Sequence, residues 1–188
     1  NEIALSWIDA NGQIGAKLWD GTSWWAEVLL STSAGVTNKS AMDVAYRTES
    51  CKPMFVYGRN VSDGGKVEGR LFNGISWEAA ETAIASAGNI GGVPEFLRLK
   101  PNTTDQLMLV CLDAGDDVNT VKYDGAWKGL LETDAGARAI DNHYADVCWE
   151  AATDHKNHCL LVFGDAADTD FDRFDGNAWT ESVKSWTD

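Results

Sequence analysis

The sequence predicts an all-β fold, an array of about four similar antiparallel units, and two observations predict it. The first is a phrase that occurs four times: an aromatic residue, Asp or Asn, Gly, then Trp. It stands at Trp19, Asp20, Gly21 and Trp24; at Phe72, Asn73, Gly74 and Trp77; at Tyr123, Asp124, Gly125 and Trp127; and at Phe174, Asp175, Gly176 and Trp179. Counted on the acidic or amide position, the intervals are 73 − 20 = 53, 124 − 73 = 51 and 175 − 124 = 51 residues, a regular period of the length that marks repeat architectures. The second is a short, nearly continuous apolar run ahead of each phrase, at residues 3–8, 54–57, 107–112 and 160–163.

Each phrase reads as a hairpin. Asp-Gly and Asn-Gly tolerate positive φ at both centres of a type I′ turn, so the aromatic before the turn and the Trp after it stand on joined strands. There they pack as a cross-strand pair, with a contribution of roughly 0.2–1 kcal/mol. Their expected role is structural; the sharper alternative is a sugar-stacking surface. The apolar runs are β-rich and suit strands buried on both faces. Each is followed by a polar loop, at 9–12, 59–65, 113–119 and 164–170. A further strand is predicted upstream of three of the runs, at 43–47, 96–99 and 146–149. The strands after the turns span 24–30, 77–84, 127–132 and 179–186. The Ala-rich stretch 78–87 would suit a helix in isolation, but its place in the repeat predicts a strand.

Four antiparallel strands in about 50 residues make a blade, so the fold class is a β-propeller-like array of four-stranded antiparallel blades. The whole chain 1–188 reads as one repeat domain with blades at about 1–33, 34–86, 87–134 and 135–188, the first lacking its first strand. The aromatic-to-Trp spacing resembles that of kelch blades. Asp-Gly before Trp in a turn between third and fourth strands is also similar to the Asp box of sialidase-type propellers. The chain lacks the Gly-Gly doublet of a kelch second strand, having Tyr57-Gly58 and Phe163-Gly164, and lacks the residue that an Asp box places between Asp and Gly. The resemblance therefore implies the blade, and no ligand or catalytic group is carried over.

Three readings of the incomplete first blade stand open: an excerpt of a longer array, a subunit completed by a neighbour's strand, or an open stack. The expected assembly edge is Ile3, Leu5, Trp7 and Ile8, where a strand from another copy or from further blades would add.

A net charge of −14 argues against nucleic acid and anionic membrane as partners, because phosphate binding needs clustered Lys and Arg, and no apolar run is long enough for a membrane helix. Acidity instead fits solubility, an extracellular or cell-surface setting, or cation-holding loops. Four cysteines form no CxxC pair, which removes a zinc ribbon or thioredoxin-like centre. Cys148 and Cys159 fall on the first and second strands of one blade and are the expected disulfide if their register allows it. Sequons at Asn38, Asn60 and Asn102 lie in expected loops.

The acidic loops Asp113, Asp116, Asp117 and Asp165, Asp168, Asp170 are weak Ca²⁺ candidates without EF-hand order, and no cofactor is otherwise expected. His155 and His158, beside Cys159, offer metal ligands on one turn but lack a second half-site, so a solvated turn is expected there. Arg70, Arg173, Lys17 and Lys122 neighbour the repeated aromatics and read as structural cations. Arg47, Arg98, Tyr46 and Trp149 on first strands are candidates to face a central channel, but no paired carboxylate or nucleophile with a base is visible. The expectation is a non-enzymatic, extracellular structural or adhesive protein assembling through edge strands. The alternative is a glycan-binding propeller using Trp25, Trp149 or Trp186, and the third reading is a glycoside hydrolase.

Overall fold

The computed structural model describes residues 2–35, 39–61, 64–85, 92–134, 145–151, 154–165 and 168–181. They form fifteen strands and no helix: β1 (Ile3–Ile8), β2 (Ile14–Trp19), β3 (Val28–Ser31), β4 (Met42–Tyr46), β5 (Pro53–Val61), β6 (Gly64–Leu71), β7 (Glu81–Ile84), β8 (Pro94–Pro101), β9 (Leu107–Asp113), β10 (Val118–Tyr123), β11 (Trp127–Asp134), β12 (Ala145–Trp149), β13 (Cys159–Asp165), β14 (Asp168–Phe174) and β15 (Trp179–Glu181). All pair antiparallel in chain order, into a three-stranded sheet β1-β2-β3 and four-stranded sheets β4 to β7, β8 to β11 and β12 to β15. The Ala-rich stretch is a strand over Glu81–Ile84. The last residues of the fourth predicted strand, with Trp186, lie outside the described residues.

The sheets stack face to face through three joints, each with its own core. Ala16 and Leu18 of the first sheet meet Phe55 and Phe72 of the second. Met54, Val56, Val67 and Ile84 of the second meet Leu97, Leu107, Leu109 and Val121 of the third. Met108, Val110 and Leu112 of the third meet Val147, Leu161 and Phe163 of the fourth. Strand alternation explains this: successive residues of one second-position strand supply two different joints. Strand β9, facing a core on each side, is buried at every position. First strands lie side by side along the inner edge, where the Leu99 N–H of β8 donates to Asp43 of β4 at 2.8 Å.

The turns depart from the expected type I′ geometry. Within each phrase the glycine alone has positive φ, as at Gly21 (99°) and Gly74 (96°), and the Asp or Asn before it does not. The preceding residue acts through its side chain: Asp20 Oδ1 accepts the N–H groups of Thr22 and Ser23, both at 2.8 Å. Asn73 does the same for Ile75 and Ser76, and Asp175 for Asn177 and Ala178. The loop is therefore longer than two residues, and Asp or Asn is required as an acceptor, not for left-handed backbone. Beyond it the aromatic and Trp do meet, as in the bridges Trp19↔Trp24 and Phe72↔Trp77.

The expected Cys148 to Cys159 disulfide is absent, and both are thiols. Register places Cys148 opposite Leu160 and Trp149 opposite Cys159, so the two side chains leave opposite faces. Cys159 turns into the third joint, where burial, then the neighbouring Cys148, pushes its thiol up to about 12.

The two end faces of the stack are apolar and open. Pairing of Ile3 with Trp19 and of Leu107 with Tyr123 makes Ile3 and Leu5 the counterparts of Leu107 and Leu109. The former are 53% and 48% exposed, the latter fully buried. At the other end Leu160 and Val162 correspond to Met108 and Val110 in the same way, at 38% and 37% against 1% and 0%. The expected edge strand β1 stands at the margin of its sheet and presents an apolar sheet face as well. Of its other members, Trp7 and Ile8 are half-buried, Trp7 lying over Gly15, where a Cβ would come within 2.3 Å of the indole.

Candidate functional site

At the end of the stack that carries the Asp-Gly turns, each joint sets an aromatic pair beside a cation. Phe72 and Trp77 pack at 5.4 Å, Tyr123 and Trp127 at 5.1 Å, and Phe174 and Trp179 at 5.3 Å between ring centroids. Arg70 lies over Trp77, Arg47 over Tyr123 and Lys122 over Phe174, at 5.6–5.8 Å. Phe72, Tyr123 and Phe174 are buried, so these pairs face the cores and leave little aromatic surface to solvent. At the open first sheet the corresponding pair, Trp19 and Trp24 at 5.6 Å, has no sheet against it, and Trp24 is exposed.

What distinguishes the joints is the residue after the turn Trp. In the first two sheets its N–H bonds back to the residue before the turn aromatic, Trp25 to Leu18 O and Glu78 to Leu71 O. That bond aims the side chain toward the next sheet. Trp25 meets Phe72 edge-on, at 5.0 Å and 84°. Glu78 instead approaches Tyr123, whose hydroxyl is raised above 10.0 by burial first, with Glu81 and Glu78 adding and Arg47 opposing. In the third and fourth sheets the position holds Lys128 and Thr180. Only the first joint therefore offers an aromatic ring there, and Trp25 keeps 36% of its surface exposed.

The notch around it is lined by Glu2, Trp19, Asp20, Tyr46, Pro53 and Phe72 among others. Asp20 is engaged by its turn, and the N–H groups of Ser23 and Thr22 hold its carboxyl below 3.8. The Tyr46 hydroxyl is enclosed and has no hydrogen-bond partner among the described residues, and burial, then the charge of Glu2, raises it above 10.0. An exposed indole with a carboxylate close by offers an apolar face with a polar group beside it, the combination used to orient a small polar ligand.

Other predicted residues have structural partners. Trp149 donates its indole N–H to Lys100 O at 2.8 Å and packs into the third core. Arg47 holds Asp105 at 2.9 Å, while Arg98 reaches Asp43 at 4.0 Å and Asp146 at 3.8 Å. Arg70 donates from Nε to Glu78 O at 2.9 Å, and Arg173 contacts His158. Asp113 is fully buried; its carboxylate accepts from Gly115 N–H at 2.7 Å and from Asn119 at 3.3 Å, so it closes a turn and is no open loop ligand. Asp116 is the loop residue with positive φ, 65°. Asp165 and Asp168 pair across the β13–β14 hairpin, with Asp170 two residues on. Glu150 went unnoticed in the sequence, yet the structure brings it to His155 and His158.

No family model and no curated protein matches this sequence. Solved structures do. The BP39L lectin of Burkholderia pseudomallei superimposes with a TM-score of 0.64 at 10% identity, over 100% of this chain and 51% of that one. A polysaccharide lyase of family PL25, an ulvan lyase, gives 0.58 at 10%, over 99% and 53%. The Aleuria aurantia lectin, described as a six-bladed β-propeller with a novel mode of fucose recognition, gives 0.53 at 12%, over 98% and 61%. The likeness is one of fold, and the chain spans about half to three-fifths of these neighbours.

Proposed function

We propose that the protein binds carbohydrate, with the exposed face of Trp25, at the rim of the first-joint notch, as the place where a sugar ring lies. Trp25 carries the reading: an exposed indole held rigid on Phe72, at a position that is acidic or basic in the next two joints. A pyranose would set its C–H face on the indole and its hydroxyls toward Glu2. Two of the structural neighbours are described as lectins, one of them recognising fucose, which supports this over the assembly reading. A glycan array probed with the whole chain should give hits, fucosides being the first to examine. Trp25→Ala should weaken the best hit at least tenfold while the variant remains folded by circular dichroism, whereas an empty array, or equal binding by the variant, would remove the proposal.

A second reading rests on the open end faces. Residues counterpart to buried joint residues are stacking surfaces for a sheet of the same kind. Assembly of copies or further blades into an extracellular structural or adhesive array would use them. The lyase neighbour makes turnover of an acidic polysaccharide the observation that would revive an enzymatic reading.

A further inference from the structure

We infer that Glu150, His155 and His158 form a binding site for a divalent transition metal, of the zinc, nickel or copper class, on the first hairpin of the fourth sheet. The fold itself builds the group. The Glu150 N–H donates to His158 O at 2.9 Å, and the His158 N–H to His155 O at 2.8 Å. A residue before the turn and two within it are thereby brought to one side of the hairpin. Their ligand atoms all lie within 4.8 Å of one another. The Glu150 carboxylate faces Nδ1 of both rings, at 3.3 Å to His155 and 3.6 Å to His158. The two imidazoles stack at 4.7 Å with 8° between their planes, so one ring has to tilt on its side-chain torsions for both in-plane lone pairs to meet at one ion.

Two imidazoles and a carboxylate are the donor set of three-ligand zinc sites, with further positions left to water or a ligand oxygen. Metal bonds of about 2.0–2.2 Å require the donor atoms to close by about an ångström, a small movement for partly exposed side chains on a turn. The surroundings match. Asp154 stands 3.9 Å from Nε2 of His155, the nitrogen away from Glu150, and closing by less than an ångström would let its carboxylate orient a metal-bound imidazole. Arg173 donates from Nη2 to Nδ1 of His158 at 2.9 Å. That nitrogen therefore presents its lone pair, and a cation already occupies the place a metal would take. Arg173 is exposed and has room to swing away.

The test is calorimetric titration of Zn²⁺ and Ni²⁺ into the chelator-stripped full chain, with circular dichroism as the check on folding. One equivalent should bind, at least tenfold more weakly in His155→Ala and in His158→Ala, and detectably more weakly in Glu150→Gln. Arg173→Gln should bind more tightly, since it removes the competing cation. His143, outside the described residues, serves as control, and His143→Ala should bind as the wild type does. Absence of binding at millimolar metal, unchanged affinity in a folded His155→Ala/His158→Ala double variant, or weaker binding in Arg173→Gln would each overturn the assignment.

Discussion

Asp105 of the third sheet receives the Arg47 guanidinium of the second at 2.9 Å on one carboxylate oxygen, and the N–H groups of Glu49 and Ser50 at 2.9 and 2.8 Å on the other. One side chain thus fastens the β4–β5 turn across the second joint. Its carboxyl sits below 3.8 although partial burial opposes this, because the Ser50 and Glu49 bonds and the Arg47 charge favour the ionised form. Asp105→Ala should cost about 2 kcal/mol, the scale of hydrogen bonds to a charged group, read as a lower urea midpoint with unchanged slope. An unchanged midpoint would show that the tie is dispensable.

The repeated turns should make the protein acid-sensitive. Backbone N–H bonds, from Ser23 and Thr22 to Asp20 and from Ala178 and Asn177 to Asp175, hold both carboxyls below the unfolded value of 3.8. The native state therefore binds fewer protons than the unfolded state, so the contribution is complete above 3.8 and is lost as pH falls below it. Asn73 performs the same task without a titrating group. Asp20→Asn with Asp175→Asn should leave stability at neutral pH nearly unchanged and flatten the acid limb of thermal unfolding. A limb as steep as that of the wild type would assign acid sensitivity elsewhere.

Gly69 is the floor on which Trp127 rests across the second joint. A Cβ there would lie 2.7 Å from the indole Cζ2 and 2.8 Å from Nε1. Gly69→Ala should destabilise by about 1–3 kcal/mol through overpacking and shift the tryptophan emission. Gly125→Ala meets no neighbour, but its φ of 76° adds backbone strain of about 1–2 kcal/mol with no such spectral change. Matching emission changes in the two variants would show that Trp127 does not depend on Gly69.

If the end faces stack, charge placed on them should disperse the particles without unfolding them. Leu5→Lys and Leu160→Lys alter side chains that are already half to one-third exposed. Each should leave thermal unfolding within about 0.5 kcal/mol of wild type, as surface substitutions do. Light scattering over a concentration series should then show the wild type growing and the variants staying small. Equal sizes throughout would end the stacking reading.

The period of the sequence already contained the sheets, because the repeat fixes which residues are strands even where local preference disagrees. The stretch around Glu81–Ile84 shows this, where alanines suit a helix yet pairing with β6 decides. Turn chemistry was less legible: Asp-Gly and Asn-Gly serve two geometries, and only the register beyond the turn separates them. Cys148 and Cys159 mark a similar limit, since a slip of one residue moves a side chain to the other face. Trp25 was visible as a candidate, but its distinction rests on comparing equivalent positions at successive joints. Glu150 escaped because ligand spacing is read along the chain, whereas a hairpin brings its two arms together across the turn.

The three joints are not chemically alike, and their inequality sets the order in which the array comes apart. Among the described residues the middle one gathers the largest buried group, while the sheets at either end each leave one face to water. In a stack where each sheet touches only its neighbours, opening starts at the ends and the centre holds longest. Amide protons of β5 and β9 should therefore be the last to exchange, and those of β1 and β15 among the first, a gradient of local opening along the stack.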